Sequence, residues 1–213
     1  MGRFLFVSDL HVNDENYERT LEGLNNIVSK YDVDFIVSGG DNGEVDNNFL
    51  DSLNACFYSI YGNHDTIEWV KDFNGHWLHD GMHVIGDFSL LAWNGIFGFS
   101  EKYPKWYHRS LDDFIRFGYS WANARPDVFV SHEIPYYNRF GKQVQEYLSV
   151  MNYGVKMIKP RVWLNGHIHR GVIIDRDTFQ GIVYVNVESK GKKVSGVIVE
   201  KDGDEINITI VEG

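Results

Sequence analysis

Five short segments carry side chains able to hold metal ions or move protons. They are Ser8-Asp9-Leu10-His11, Gly40-Asp41-Asn42, Gly62-Asn63-His64-Asp65, Ser131-His132-Glu133 and Gly166-His167-Ile168-His169. Each sits directly behind an apolar, β-branched or aromatic run, the first behind Arg3-Phe4-Leu5-Phe6-Val7. Aspartate, histidine and asparagine in this mixture, without cysteine, suit a borderline divalent cation: manganese, iron, nickel or zinc. An all-carboxylate set would select magnesium or calcium, and thiolates a structural zinc. Seven candidate ligands among these segments are too many for one ion at usual coordination, so two ions are implied. Two ions roughly 3.5–4 Å apart clamp the attacking and leaving oxygens in phosphate-ester hydrolysis.

These residues can meet only if the runs before them are neighbouring strands. Open α/β sheets gather ligands in the crevice outside the C-terminal strand ends. The pattern predicts strands at 3–8, 34–38, 56–60, 127–130 and 161–164. A helix is expected over 14–30, with Tyr17, Leu21, Leu24, Ile27 and Val28 on one face and Asp14 as its N-cap. Strand, helix and strand in that order imply a right-handed parallel crossover. Short helices are expected at 49–53 and 66–73, and further helices at 111–124 and around 142–150. From Met82 onward hairpins take over, first around Gly86-Asp87 within 82–93. Strands follow at 172–175, 182–187, 194–200 and 205–211, with Asp202-Gly203 turning the last pair. The change from βα units to hairpins predicts an α/β fold of two packed sheets with helices outside, in a single domain over 1–213. Residues 94–108 are rich in glycine and aromatics and fit no period. They read as a long loop, either packed on the core or forming a substrate rim.

Composition narrows the classes. The chain of 213 residues is 43% hydrophobic and 23% charged, as in a globular domain. Its 20 basic residues against 30 acidic ones give a formal charge of −10, which opposes binding to extended nucleic acid. A small phosphate substrate is compatible with that charge, because bound dications reverse the sign locally. Cys56 is the only cysteine, expected to be a small core residue, and no intrachain disulfide is available. The apolar run before Asp9 is too short for a signal-peptide core, and no stretch approaches a membrane span. A cytoplasmic location and no membrane partner are therefore expected. The composition carries no reading of oligomeric state.

The five segments, in this order, resemble the motif set of the calcineurin-like metallophosphoesterases, and they span residues 9 to 169. The resemblance implies a four-layer sandwich of two facing mixed β-sheets flanked by helices, with a dinuclear site at the strand ends. It also implies that Asp9, His11 and His169 hold one metal, that Asn63, His132 and His167 hold the other, and that Asp41 bridges them. Manganese is the first expectation, with iron, nickel or zinc as alternatives. A hydroxide shared by the ions would attack phosphorus in line, and His64 would serve as general acid. In some relatives that histidine is oriented by an acid three residues after the bridging aspartate, which here is Glu44, one methylene longer. The branch that dephosphorylates proteins carries an arginine next to that acid, where this chain has Val45. A phosphomonoester dianion is well matched by a bidentate arginine, so its absence favours phosphodiesters, unless Arg109, Arg139 or Arg170 substitutes. The alternatives are a phosphomonoesterase or protein phosphatase, a nuclease, and a non-catalytic scaffold that keeps the fold.

Overall fold

The computed structural model describes residues 2–66, 68, 76–97, 106–134, 142–169, 171–179, 181–189 and 193–213. Strand β1 (Gly2–Val7) has apolar side chains on both faces: Phe4 and Phe6 on one, Leu5 and Val7 on the other, all fully buried. A strand apolar on both faces has to be central and covered twice. It lies between β2 (Phe35–Ser38), paired in parallel, and the antiparallel β13 (Ser195–Asp202). Outside these stand β3 (Cys56–Ser59) and β4 (His76–Trp77) on one side and β14 (Glu205–Glu212) on the other. The second sheet runs β11 (Ile173–Phe179), β12 (Ile182–Asn186), β10 (Val162–Asn165), β9 (Val128–Ser131), β6 (Phe88–Trp93) and β5 (Gly81–Ile85). Both sheets are mixed, because hairpins at their edges add antiparallel strands to a parallel centre.

Three apolar clusters account for the layering. Phe4, Phe6, Phe35 and Val37 of the first sheet meet Phe88, Leu90, Val128, Val130 and Leu164 of the second. On the outer face of the first sheet, Leu5, Val7 and Ile36 pack against Leu24, Ile27 and Val28 of α1 (Tyr17–Tyr31) and Phe49 of α2 (Asn47–Asp51). Outside the second sheet, Leu91, Trp93, Phe129 and Trp163 pack on α3 (Leu111–Ser120) and α4 (Lys142–Ile158), through Phe114, Met151, Val155 and Ile158. The result is the four-layer αββα sandwich. Among the described residues, no helix is long and apolar enough to cross a membrane.

Several local expectations change. Cys56 is exposed, because it opens β3 at the outer end of the strand before the chain is covered. Asn16, not Asp14, occupies the N-cap of α1, and its side chain accepts from the Asn13 N–H (2.8 Å) instead of a helical N–H. Helix α4 continues to Ile158, eight residues past the expected end at 150. The stretch 94–108 contains a short parallel pair, β7 (Ile96–Phe97) with β8 (His108–Arg109). Most of the helix expected at 66–73 lies outside the described residues.

Register carries the functional segments to one pole. Val7, Ser38 and Ser59 are paired neighbours at the ends of β1, β2 and β3. In the second sheet Trp93, Ser131, Asn165 and Asn186 stand side by side in the same way. The loops that follow these residues therefore emerge together above the inner core.

Candidate metal centre

The loops at this pole use backbone that ordinary residues avoid. Asp9, His11, Asp41 and His167 have φ of 55°, 44°, 55° and 69°, left-handed conformations that cost roughly 1–3 kcal/mol each. Hydrogen bonds between loops hold them. The N–H groups of Asp9 and His11 donate to the carbonyls of Gly40 and Asp41, both at 3.0 Å. Buried Asp65 accepts from the N–H groups of Asp41 (2.9 Å), Asn42 (2.8 Å) and Gly62 (2.8 Å), tying the second loop to the third. His167 donates its N–H to Asp9 Oδ2 at 3.0 Å and so ties the second sheet to the first. The approach is close enough to exclude side chains at two glycines. A Cβ on Gly62 would overlap Asp41 Oδ1 and the His132 ring, and one on Gly166 would overlap Ser8 Oγ and Asp9 Oδ2.

Donor atoms of Asp9, His11 and His169 lie within 4.8 Å of one another, and so do those of Asp9, Asp41 and His132. Asn63 Oδ1 stands 3.2 Å from His132 Nε2 and 2.9 Å from His167 Nδ1, which brings the last two candidate ligands beside the second group. All seven residues thus gather at one place. In this geometry Asp9 is the residue common to the two groups. Asp41 is buried between His132 Nε2 at 3.3 Å and the His64 N–H at 2.8 Å.

Does this arrangement fit a pair of cations? Asp9 is buried, and its Oδ2 accepts from Ser8 Oγ (2.7 Å) and the His167 N–H, but among the described residues its buried Oδ1 has no hydrogen-bond donor. Such an oxygen costs roughly 1–3 kcal/mol or more when charged. A cation between the imidazoles and carboxylates would meet it, so the donor set fits the group. Burial opposes protonation of His132, but the Asp41 carboxylate outweighs it and pushes the imidazole up to about 10. Burial also raises Asp41, but His132 outweighs that and holds it well below the usual carboxylate range. Burial lowers His11 and His167, against the pull of nearby carboxylates. The chain thus places a proton on His132 where an ion would sit.

The imidazoles are oriented from behind. His132 Nδ1 lies 2.8 Å from the Gly39 carbonyl, and His169 Nδ1 lies 3.0 Å from Glu188 Oε1. In the neutral form of each ring this leaves Nε2 with the lone pair. Glu188 is buried and also accepts from the Gly171 N–H. Its role was missed in the sequence, although Glu188 follows an apolar run in the same way as the other segments. Asp65 and Glu133 lie within those segments. Glu133 accepts from the N–H groups of Phe97 and Ile134, both at 3.0 Å.

His64 is exposed at the mouth of the site, with its ring 5.3 Å from that of His11. Glu44 is not brought to it. Gly43 pairs with Val12 in a short bridge, and the Glu44 N–H donates to the Val12 carbonyl. This leaves the Glu44 side chain exposed, and it makes no hydrogen bond or ion pair with His64 among the described residues. Arg109 is committed to Asp80 at 2.6 Å, and Arg139 and Arg170 lie outside the described residues. Of the aromatic stretch, Phe97 and Tyr107 are buried, and Trp106 packs on Tyr61 with ring centroids 4.8 Å apart. A cleft of about 390 Å3 opens beside Asp9, His11, His169 and His64 and runs toward the start of α1.

A sandwich of this topology with clustered Asp, His and Asn at its strand ends defines a metallophosphoesterase-like protein. The sequence matches the family described as calcineurin-like phosphoesterase over residues 2–171, and the chain belongs to that family. Two solved structures share the fold. One is GAP50 of Plasmodium, described as the anchor in the inner membrane complex, with TM-score 0.65 and 13% identity over 99% of this chain and 84% of that one. The other is TT1561 of Thermus thermophilus, with TM-score 0.63 and 12% identity over 98% of each chain. No curated protein matches the sequence significantly.

Proposed function

We propose that this protein hydrolyses small phosphodiesters in the cytoplasm with two divalent cations, manganese first among them. The observation that carries the reading is Asp9 Oδ1, a buried carboxylate oxygen without a donor where two groups of ligand atoms meet. Asp9, His11 and His169 would hold one ion and Asn63, His132 and His167 the other, with Asp41 and Asp9 between them. When bound, the pair supplies an activated water and neutralises charge on the phosphoryl oxygens. The chain's own part is positional. Glu188 fixes the His169 ring, Gly39 fixes the His132 ring, and Asp65 locks the loops that carry Asp41 and Asn63. His64, exposed at the mouth, would give a proton to the leaving oxygen.

The diester reading has two supports. Val45 is buried in the core outside the first sheet, so no arginine clamp comes from that position. Arg109 is neutralised by Asp80, and a phosphodiester monoanion needs a bidentate partner less than a dianion does. The competing reading is a scaffold, favoured by the shared fold of GAP50, whose description is that of an anchor. The experiment compares bis(p-nitrophenyl) phosphate with p-nitrophenyl phosphate, using protein stripped of metal and reloaded with manganese(II). Metal-dependent turnover with the diester preferred is expected. Preference for the monoester overturns the diester assignment, and no turnover with two ions bound moves the protein to the scaffold reading.

A further inference from the structure

The cleft beside the metal centre has a composition that hydrolysis of a plain ester does not require. One wall belongs to the site, through Asp9, His11, His64 and His169. The cleft is also lined by Arg19 from the first turn of α1 and by Lys193, two residues before β13. Asp9 is the only carboxylate lining the cleft among the described residues, in a chain whose acidic residues outnumber its basic ones by 30 to 20. Its other lining groups include polar Asn13, Asn16 and Ser189.

Both cations line the cleft from positions on its surface: Arg19 is exposed, and Lys193 is more than half exposed. A basic residue in the first turn of a helix opposes the macrodipole, which prefers anions there. Arg19 occupies such a position in α1, whose only acidic first-turn residue is Glu18. Lys193 meets Glu212 at 3.7 Å with both side chains more than half exposed, the kind of ion pair that contributes little to stability. An anion in the cleft would be favoured by Arg19, by Lys193 and by the helix end together. A cleft of about 390 Å3 is also large enough for one arm of a small substrate.

We infer that the cleft selects phosphoesters with a second anionic group, a phosphate or a carboxylate, on the arm that occupies the cleft lined by Arg19 and Lys193. This rests on the phosphoesterase reading of the metal centre and adds the substrate class. Arg19 and Lys193 are specificity residues that read the second charge, while the metal ligands hold the ester phosphorus. Neutral-armed esters enter the same cleft without this contribution.

The test is equilibrium binding, so that it is separate from turnover. Ethylphosphonate, 3-phosphonopropionate and ethane-1,2-diphosphonate are titrated calorimetrically into manganese-loaded protein. The two doubly headed compounds are expected to bind at least tenfold more tightly than ethylphosphonate, and comparison of the two tells a carboxylate from a phosphate reader. In the Arg19→Ala/Lys193→Ala variant the advantage is expected to fall to within about twofold, and Arg19→Lys/Lys193→Arg is expected to restore it. Metal content and thermal transition of the variants verify that they are folded and loaded. Equal binding of all three ligands by the wild type overturns the inference, as does an advantage that survives in the alanine variant. An equal loss of ethylphosphonate binding overturns it too, because the cations would then serve the ester phosphate itself. If the phosphonates bind with the expected ranking but no ester is hydrolysed, the cleft stands and the enzymatic reading fails.

Discussion

The two poles of the sandwich treat buried carboxylates in opposite ways. At the pole of the N-terminal strand ends, Asp127 is completed by the chain. It accepts from the Ser89 N–H and Oγ at 2.9 Å and from Lys201 Nζ at 2.7 Å, with Arg161 3.6 Å away. At the other pole Asp9 and Asp41 are more deeply buried, yet among the described residues no lysine or arginine reaches either, and Asp9 Oδ1 has no hydrogen-bond donor. Four ligand residues there also take left-handed backbone. Asp127 receives its cations from the chain, Asp41 has only the His132 imidazole among the described residues, and Asp9 keeps an oxygen that a cation from outside would meet.

The sharpest way to break this comparison is the same substitution at each pole. Asp9→Asn should lower metal-dependent turnover by roughly a thousandfold or more, the equivalent of several kcal/mol of lost charge stabilisation. The same change should raise the thermal transition of the metal-free protein, because an unpaired buried charge is removed. Reduced metal-free stability would show that Asp9 is already satisfied. His64→Ala should cost about a hundredfold in kcat with both ions retained, the low end for a lost general acid. Unchanged turnover would remove His64 from the chemistry.

Smaller effects test the support around the site. Glu188→Gln should weaken metal binding about 10- to 100-fold without unfolding the protein, because His169 loses its orienting carboxylate. Elemental analysis after dialysis at graded metal concentrations checks this. Asp127→Asn should destabilise the fold by about 1–3 kcal/mol and leave metal content intact. Its pH dependence has a definite sign. Burial pushes Asp127 up, but Lys201 and Ser89 outweigh it and hold the carboxyl below its ordinary value. The stabilisation is complete above the unfolded carboxylate value of about 4 and is lost as pH falls through the lower folded value. The difference between wild type and Asp127→Asn in urea melts should therefore shrink on acidification.

Much of this was legible in the chain because strands buried on both faces announce themselves as continuous apolar runs. Phe4 to Val7, Phe35 to Val37 and Val162 to Leu164 are such runs, and polar residues behind them must leave the sheet at the same edge. Helix α1 was visible for the related reason that its apolar face repeats along a helical period. What stayed hidden depends on contacts between distant segments. Glu44 has a suitable spacing for partnering His64, but the pairing of Gly43 with Val12 turns its side chain to solvent. Glu188 orients His169 across a separation of 19 residues that no local pattern encodes. The cleft cations Arg19 and Lys193 are far apart in sequence, and only the folded chain brings both to one cleft.

The central claim is that the carboxylates at the loop pole await cations, and calorimetric titration of metal-free protein with manganese(II) tests it most directly. The wild type should take two ions per chain and release protons, because His132, pushed up to about 10 by Asp41, must surrender its proton to bind. Its thermal transition should rise, and Asp9→Asn should show neither effect at the same metal concentration. Absence of uptake by the wild type, or equal uptake by Asp9→Asn, would contradict the account.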